Sequence, residues 1–220
     1  MTNSKSKIST KNLITAAMLT AVAYVLMLVS KLVPQVAGFL QYDLKDVAVV
    51  MGGFILGPLY TIGISLAVTF LEFLTASHTG AIGLLMNFIS TVAFCLTASI
   101  FYYKKKTIKG AIIGLVCATV MLAVVMILWN YFVTPGYMKV PRAVVVDMLP
   151  TVFLPFNLVK GLLNSGITLI VYRPVVDGLR KAGLVEKSAK NSGKKKFSIA
   201  IIVGLLLLAI CIPFLCLMMK

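Results

Sequence analysis

Leu149–Tyr172 reads LPTVFLPFNLVKGLLNSGITLIVY, an apolar run long enough to cross a bilayer that carries one full positive charge, Lys160. On a helix Asn157, Lys160 and Asn164 fall at i, i+3 and i+7, so all three line one face. A lysine this far from either end of a spanning segment costs on the order of 3 kcal/mol or more in hydrocarbon. It must snorkel, pair, or look into a polar cavity. An isolated Asn would read as an interhelical hydrogen bond that helps packing. Two Asn flanking a Lys on one stripe point instead to a ligand site.

Working outward, the chain has 220 residues, of which 60% are hydrophobic and 12% charged, with a mean hydropathy of +1.02. Water-soluble domains do not have this composition; all-α integral membrane proteins do. The net charge of +15 comes from Lys and Arg clustered between apolar runs, the pattern of segments that flank a membrane and face anionic lipid. Nucleic acid is therefore not an expected partner. The four cysteines, Cys95, Cys117, Cys211 and Cys216, lie inside apolar runs without metal-ligand spacing, so neither a metal site nor a disulfide framework is expected. No A-x-A-like cleavage site follows the first apolar run, and that run is expected to be retained.

In chain order, a basic lead Thr2–Lys11 precedes a helix over Asn12–Val33, in which Ala17 and Ala21 form a small-residue strip where another helix can approach closely. A polar loop, Phe39–Asp46 (FLQYDLKD), leads to a short helix Val47–Gly57 that contains Gly52-Gly53 and ends in the breaker Gly57-Pro58. Helices over Leu59–Leu74, Leu84–Tyr103 and Gly110–Phe132 follow, separated by the small loop Thr75–Gly83 and the basic turn Lys104–Lys109. Thr134–Pro150 is long for a bundle connection, hence a candidate lid. After the opening stretch, residues 174–196 form a basic linker and 197–220 a further apolar segment. With the N-terminus inside, fifteen of the 21 Lys and Arg fall on the cytoplasmic side, so the positive-inside rule sets the orientation. Gln41, Tyr42, Asp43, Asp46, Glu72, Asn87, Asn130, Asp147, Asn157 and Lys160 then gather at the outer half of the membrane, as they would around a pocket open to the outside.

An enzyme gets little support. There is no G-x-x-x-x-G-K-[ST] phosphate cradle, and Gly193-Lys194 lacks the preceding glycine. His78 has only Ser77 close by, and adjacent side chains diverge in most backbone conformations. Nor is there a zincin helix or a His/Cys cluster.

These residues resemble the substrate-binding S components of energy-coupling factor (ECF) vitamin transporters. The matching pieces are Leu40-Gln-Tyr-Asp-Leu-Lys-Asp46, Gly52-Gly53 through Gly57-Pro58, Thr79-Gly80 through Gly83 to Asn87-Phe88, Asn130-Tyr131 through Pro135-Gly136-Tyr137, Asn157-Leu-Val-Lys160-Gly161, and Ala17-x-x-x-Ala21. The loop before the second helix and Asn157/Lys160 point to the riboflavin-specific branch. The resemblance implies a six-helix bundle over residues 1–173 in a bacterial cell membrane. It would take up riboflavin outside, with FMN a second candidate ligand, and bind no other cofactor. Leu40, Gln41, Asp43, Asn87, Asn130, Asn157, Lys160 and Asn164 would form the ligand site. Ala17 and Ala21 would face an ECF module of one membrane subunit and two ATPases. Two other readings stand beside it: the same fold serving thiamine, folate or biotin, and a membrane scaffold whose embedded polar residues only pack helices. The segment 197–220 departs from the six-span pattern. It is expected to be an additional transmembrane helix, at the lipid face or against a partner, with no role in binding.

Overall fold

The computed structural model describes residues 9–76, 79–184 and 194–219. The basic lead up to Ile8, Ser77, His78, the centre of the basic linker and Lys220 lie outside the described residues. The elements of the described chain are helices, joined by loops, one of which holds a single β-bridge. In order the helices are α1 (Thr10–Ser30), α2 (Lys45–Leu56), α3 (Pro58–Thr75), α4 (Gly80–Lys105), α5 (Ile108–Phe132), α6 (Thr134–Met138), α7 (Arg142–Met148), α8 (Leu154–Lys181) and α9 (Lys194–Met218). Six helical stretches are long and apolar enough to span a membrane: α1, α3, α4, α5, the α7–α8 rod and α9.

Helix α2 is the exception that organises the bundle. Its twelve residues would rise only about 18 Å, too little for lipid. It needs no more, because Lys45 to Phe54 are buried among α1, α3, α4 and α8. Gly57 ends it with φ 105° and ψ 173°, a conformation glycine adopts without strain, and Pro58 opens α3 where its missing N–H costs nothing. Further up, a Cβ on Gly53 would lie 2.4 Å from Thr61 Oγ1 and 2.6 Å from Ser99 Oγ. The glycine therefore sets how closely α3 and α4 pack against α2.

The connection Thr134–Pro150, a candidate lid by its length, is largely helical. Helices α6 and α7 occupy most of it, and the chain runs from α7 into α8 through one π turn at Leu149–Phe153. Pro155 has no N–H to give the carbonyl four residues back, so the helix widens there instead of closing its regular bond. The helix then continues past Arg173, where the bundle was expected to end, through Pro174 to Lys181. Chain direction places two ends in the bundle. The lower end holds the α4–α5 turn, where Thr107 caps α5 by accepting from Gly110 N at 3.1 Å. It also holds an aromatic group, with Phe54 stacked on Tyr102 at 4.2 Å and Tyr102 and Tyr172 hydrogen-bonded through their hydroxyls. The upper end holds the α1–α2 loop, the start of α4, the end of α5 and the start of α8.

Candidate functional site

Three lysines and three carboxylates meet at the upper end. The Lys45 side chain, fully buried, pairs with Asp43 and, at 3.0 Å, with Glu72 of α3. Glu72 also takes Lys31, at the end of α1, at 2.8 Å. On the other side of the α2 N-terminus, buried Asp46 accepts from Thr91 of α4 at 2.8 Å and from Asn164 of α8 at 3.4 Å. Its carboxylate is 3.7 Å from Lys160 Nζ, which in turn donates to Ser90 at 3.3 Å. The charges alternate along this chain and cancel. Each buried ion has a counter-ion and further hydrogen bonds, the condition under which buried charge is tolerated.

Local sequence explains how the loop reaches this arrangement. Gln41 donates through Nε2 to the carbonyls of Ser30 at 2.7 Å and Val33 at 2.8 Å, so its amide closes the C-terminus of α1. Ser30 Oγ accepts from Leu44 N at 2.8 Å. Asp43 accepts from the Lys45 backbone N–H at 3.0 Å and so satisfies a donor at the start of α2. Between them Val36 and Leu40 exchange two backbone bonds of 2.8 and 2.9 Å around Ala37 and Gly38, both at positive φ. Tyr42 donates to Asn164 Oδ1 at 2.8 Å, and Asn164 Nδ2 also donates to the Asp43 carbonyl at 3.1 Å. Burial, and secondarily the Asp46 carboxylate, push the Tyr42 phenol above its usual range, so it remains a donor.

The eight candidate ligand residues therefore divide. Asp43, Lys160 and Asn164 belong to one buried ionic network. Leu40 lies in an apolar cluster with Tyr42, Phe153, Phe156 and Val159. Asn157 donates to the Phe153 carbonyl at 2.7 Å, at the end of the π turn. Asn130 is occupied on both sides, donating to Met126 O at 2.6 Å and accepting from Thr134 at 2.8 Å. Asn87 is half-buried on α4, and among the described residues nothing hydrogen-bonds its amide. A small, open hollow lies between the start of α4 and the α5–α6 corner, walled by Ile82, Met86, Trp129, Val133, Thr134 and Tyr137. It adjoins Asn87 and Asn130 in sequence, whereas Lys160 and Leu40 do not line it.

Sequence reading did not single out Lys45 as a functional residue, nor Thr91 or Ser90 as partners. A signal was present for Lys45: three charges, Asp43, Lys45 and Asp46, stand at the edge of an apolar helix too short to span. Thr91 and Ser90 carry none, since hydroxyls are common in membrane helices.

The fold and the buried ionic network define a polytopic membrane protein with a polar centre near one face. The model of the ECF transporter substrate-specific component matches residues 11–172, and the chain belongs to that family. It is similar to the riboflavin transporter RibU of Staphylococcus aureus (strain TCH60), 32% identical over 177 residues that cover 78% of this chain and 93% of the relative. The riboflavin transporter FmnP of Bacillus subtilis (strain 168) is 25% identical, with coverage of 78% and 97%. RibU of Streptococcus thermophilus is 30% identical, with coverage of 76% and 83%. A solved S component of a bacterial ECF transporter superposes with a TM-score of 0.66 at 30% identity, covering 77% of this chain and 98% of its own. The match to the family ends at residue 172, so α9 lies beyond it.

Proposed function

We propose that this chain is the riboflavin-binding subunit of an ECF importer, holding the vitamin at the upper end of the bundle and delivering it inward when docked on an ATP-driven module. The observation that carries the reading is that three relatives, each named a riboflavin transporter, align with 76–78% of this chain. The chemistry at the upper end supports it. Riboflavin is neutral, with a flat ring bearing acceptors and a polyol tail, and the charges around Lys160 and Asp46 cancel. A lysine ammonium has three donors; Ser90 takes one, and Asp46 stands 3.7 Å away as a counter-ion, which leaves donor capacity for a ring acceptor. Asn87 offers a whole amide, Asn157 its carbonyl oxygen, and Trp129 and Tyr137 an apolar wall. Leu40 and the loop around it would cover the ring.

The module would consist of one membrane subunit and two ATPase subunits, since this chain has no phosphate cradle of its own. The N-terminus would be cytoplasmic in a bacterial cell membrane, which puts Lys104–Lys109 inside and the upper end outside. Ala17 and Ala21 are exposed on α1, as a docking strip must be.

The purified protein should carry yellow flavin and quench added riboflavin. Lys160→Ala and Asn157→Ala should each weaken binding by about 1–3 kcal/mol as a buried bond is lost, measured by fluorescence titration with FMN and other vitamins as competitors. Wild-type affinity in both variants would remove these residues from the site, and the absence of any flavin binding would overturn the reading.

A further inference from the structure

The helix beyond the family match is not a passive addition. Its buried positions, Ala200, Gly204, Cys211 and Leu215, with Leu208 partly buried, follow a three–four spacing that makes one seam. Ile199, Ile202, Leu206, Ile210 and Leu217 stand exposed on the other faces. The seam meets α8 at a backbone-to-backbone crossing: a Cβ on Gly204 would lie 2.7 Å from the Gly166 carbonyl oxygen, and one on Gly166 would lie 3.0 Å from that of Gly204. Such close approach is how membrane helices gain packing energy without a hydrophobic driving force.

Helices α8 and α9 run antiparallel, so each residue taken upward from the crossing along one is matched along the other. Seven residues up, α8 has reached Val159 and α9 Cys211; a further turn brings Phe156 and Leu215 level. These four share one buried cluster with Val36, Leu40 and Tyr42 of the α1–α2 loop and with Phe153 of the π turn. The loop thus packs on a floor that α8 and α9 build together, and the same loop carries Tyr42 to Asn164 and Asp43 to Lys45.

We propose that α9 is a strut that holds the α1–α2 loop closed against the upper end of α8 and thereby sets how fast bound ligand leaves. To lift the loop, Leu40 and Tyr42 must leave the cluster they share with Cys211 and Leu215, whereas acyl chains in the same place would yield. The part of this inference that concerns ligand exit rests on the riboflavin reading; the part that concerns the loop does not.

Full-length Gly204→Leu, which forces the crossing apart, and Leu215→Ala, which removes a side chain at its upper end, are to be compared with wild type in lipid nanodiscs. Hydrogen exchange of residues 33–44 without ligand should accelerate in both variants by about tenfold, while exchange in α4 and α5 stays unchanged. Riboflavin dissociation, followed by recovery of its fluorescence, should accelerate in parallel. Should Gly204→Leu fail to fold, Leu215→Ala carries the test alone. Wild-type exchange of 33–44 in the folded variants overturns the strut, whatever riboflavin does. Faster loop exchange with unchanged dissociation overturns its control of exit. Failure of the wild-type protein to bind riboflavin would refute the functional reading alone, with the exchange result still deciding the strut.

Discussion

Helices α2 and α9 both lie in the membrane region, and they are stabilised by opposite means. Helix α2 starts in a knot of ions: Asp43, Lys45, Asp46, Glu72 and Lys160 converge within its first turn. Helix α9 packs through glycine, alanine, cysteine and leucine, with Pro213 as its one irregular residue. Removing a side chain from the second kind of interface leaves space that neighbours or lipid can fill. Removing one from the first leaves an opposite charge without a partner in low dielectric, and nothing nearby can replace it. The bundle therefore concentrates its sensitivity in a few residues at the upper end and spreads the remainder thinly over apolar seams.

The largest effect should follow from Lys45→Met. Its length is nearly kept, but Asp43 and Glu72 both lose their fully buried partner, and breaking a buried pair costs about 3–5 kcal/mol. Lys31 still reaches Glu72 from its half-exposed position, which holds the cost toward the lower figure. Thermal unfolding in detergent should show a large fall in midpoint. Adding Asp43→Asn to Lys45→Met should recover part of it, because the one carboxylate left without a cation is then gone. A midpoint unchanged from wild type would mean that the ions contribute no more than an apolar seam does.

How much of this was legible beforehand differs between the same two regions. Gly57-Pro58 announced the break between α2 and α3, and apolar runs announced the spans, because backbone rules and bilayer thickness act locally. The Asn157–Lys160–Asn164 stripe correctly marked a buried polar face, with Lys160 and Asn164 in contact with Asp46. The partners were not legible. Asp46 meets Thr91 across 45 residues and Asn164 across 118, and which acid joins which lysine depends on how four helices cross. Sequence periodicity carries no information about that. The helical course of Thr134–Pro150 was not legible for another reason: the stretch was read by its length alone, whereas Pro135 and Pro141 sit where short helices begin and a π turn follows Pro150.

An intermediate effect is expected at Gly53, where α2 is apolar like α9 but packed without slack. A methyl group there would meet Thr61 Oγ1 at 2.4 Å, Ser99 Oγ at 2.6 Å and Ser99 Cβ at 2.7 Å, and the helix backbones on both sides prevent retreat. Gly53→Ala should destabilise by about 1–3 kcal/mol through overpacking, despite the alanine's better helix propensity. Unfolding midpoints would detect it, and Gly53→Ala combined with Ser99→Gly should recover most of the loss if the clash with α4 is the cause. No recovery would place the strain on the Thr61 side instead.

The smallest effect belongs to the outer face of α9. Ile210 is 68% exposed, one position before Cys211 on the seam, and its side chain touches hydrocarbon in both the folded bundle and an α9 detached from it. Lipid tails are as apolar as the side chain, so truncation transfers nothing between water and oil on folding, and only a few dispersion contacts change. Ile210→Ala should therefore alter the unfolding midpoint within the scatter of repeated measurements, about ±0.5 kcal/mol for a surface substitution. Leu215→Ala, five residues on and buried, should shift it measurably. Equal effects at the two positions would mean that α9 has no preferred face toward α8, and the contrast between an apolar seam and a lipid-facing surface would fail at the helix where it is drawn most sharply.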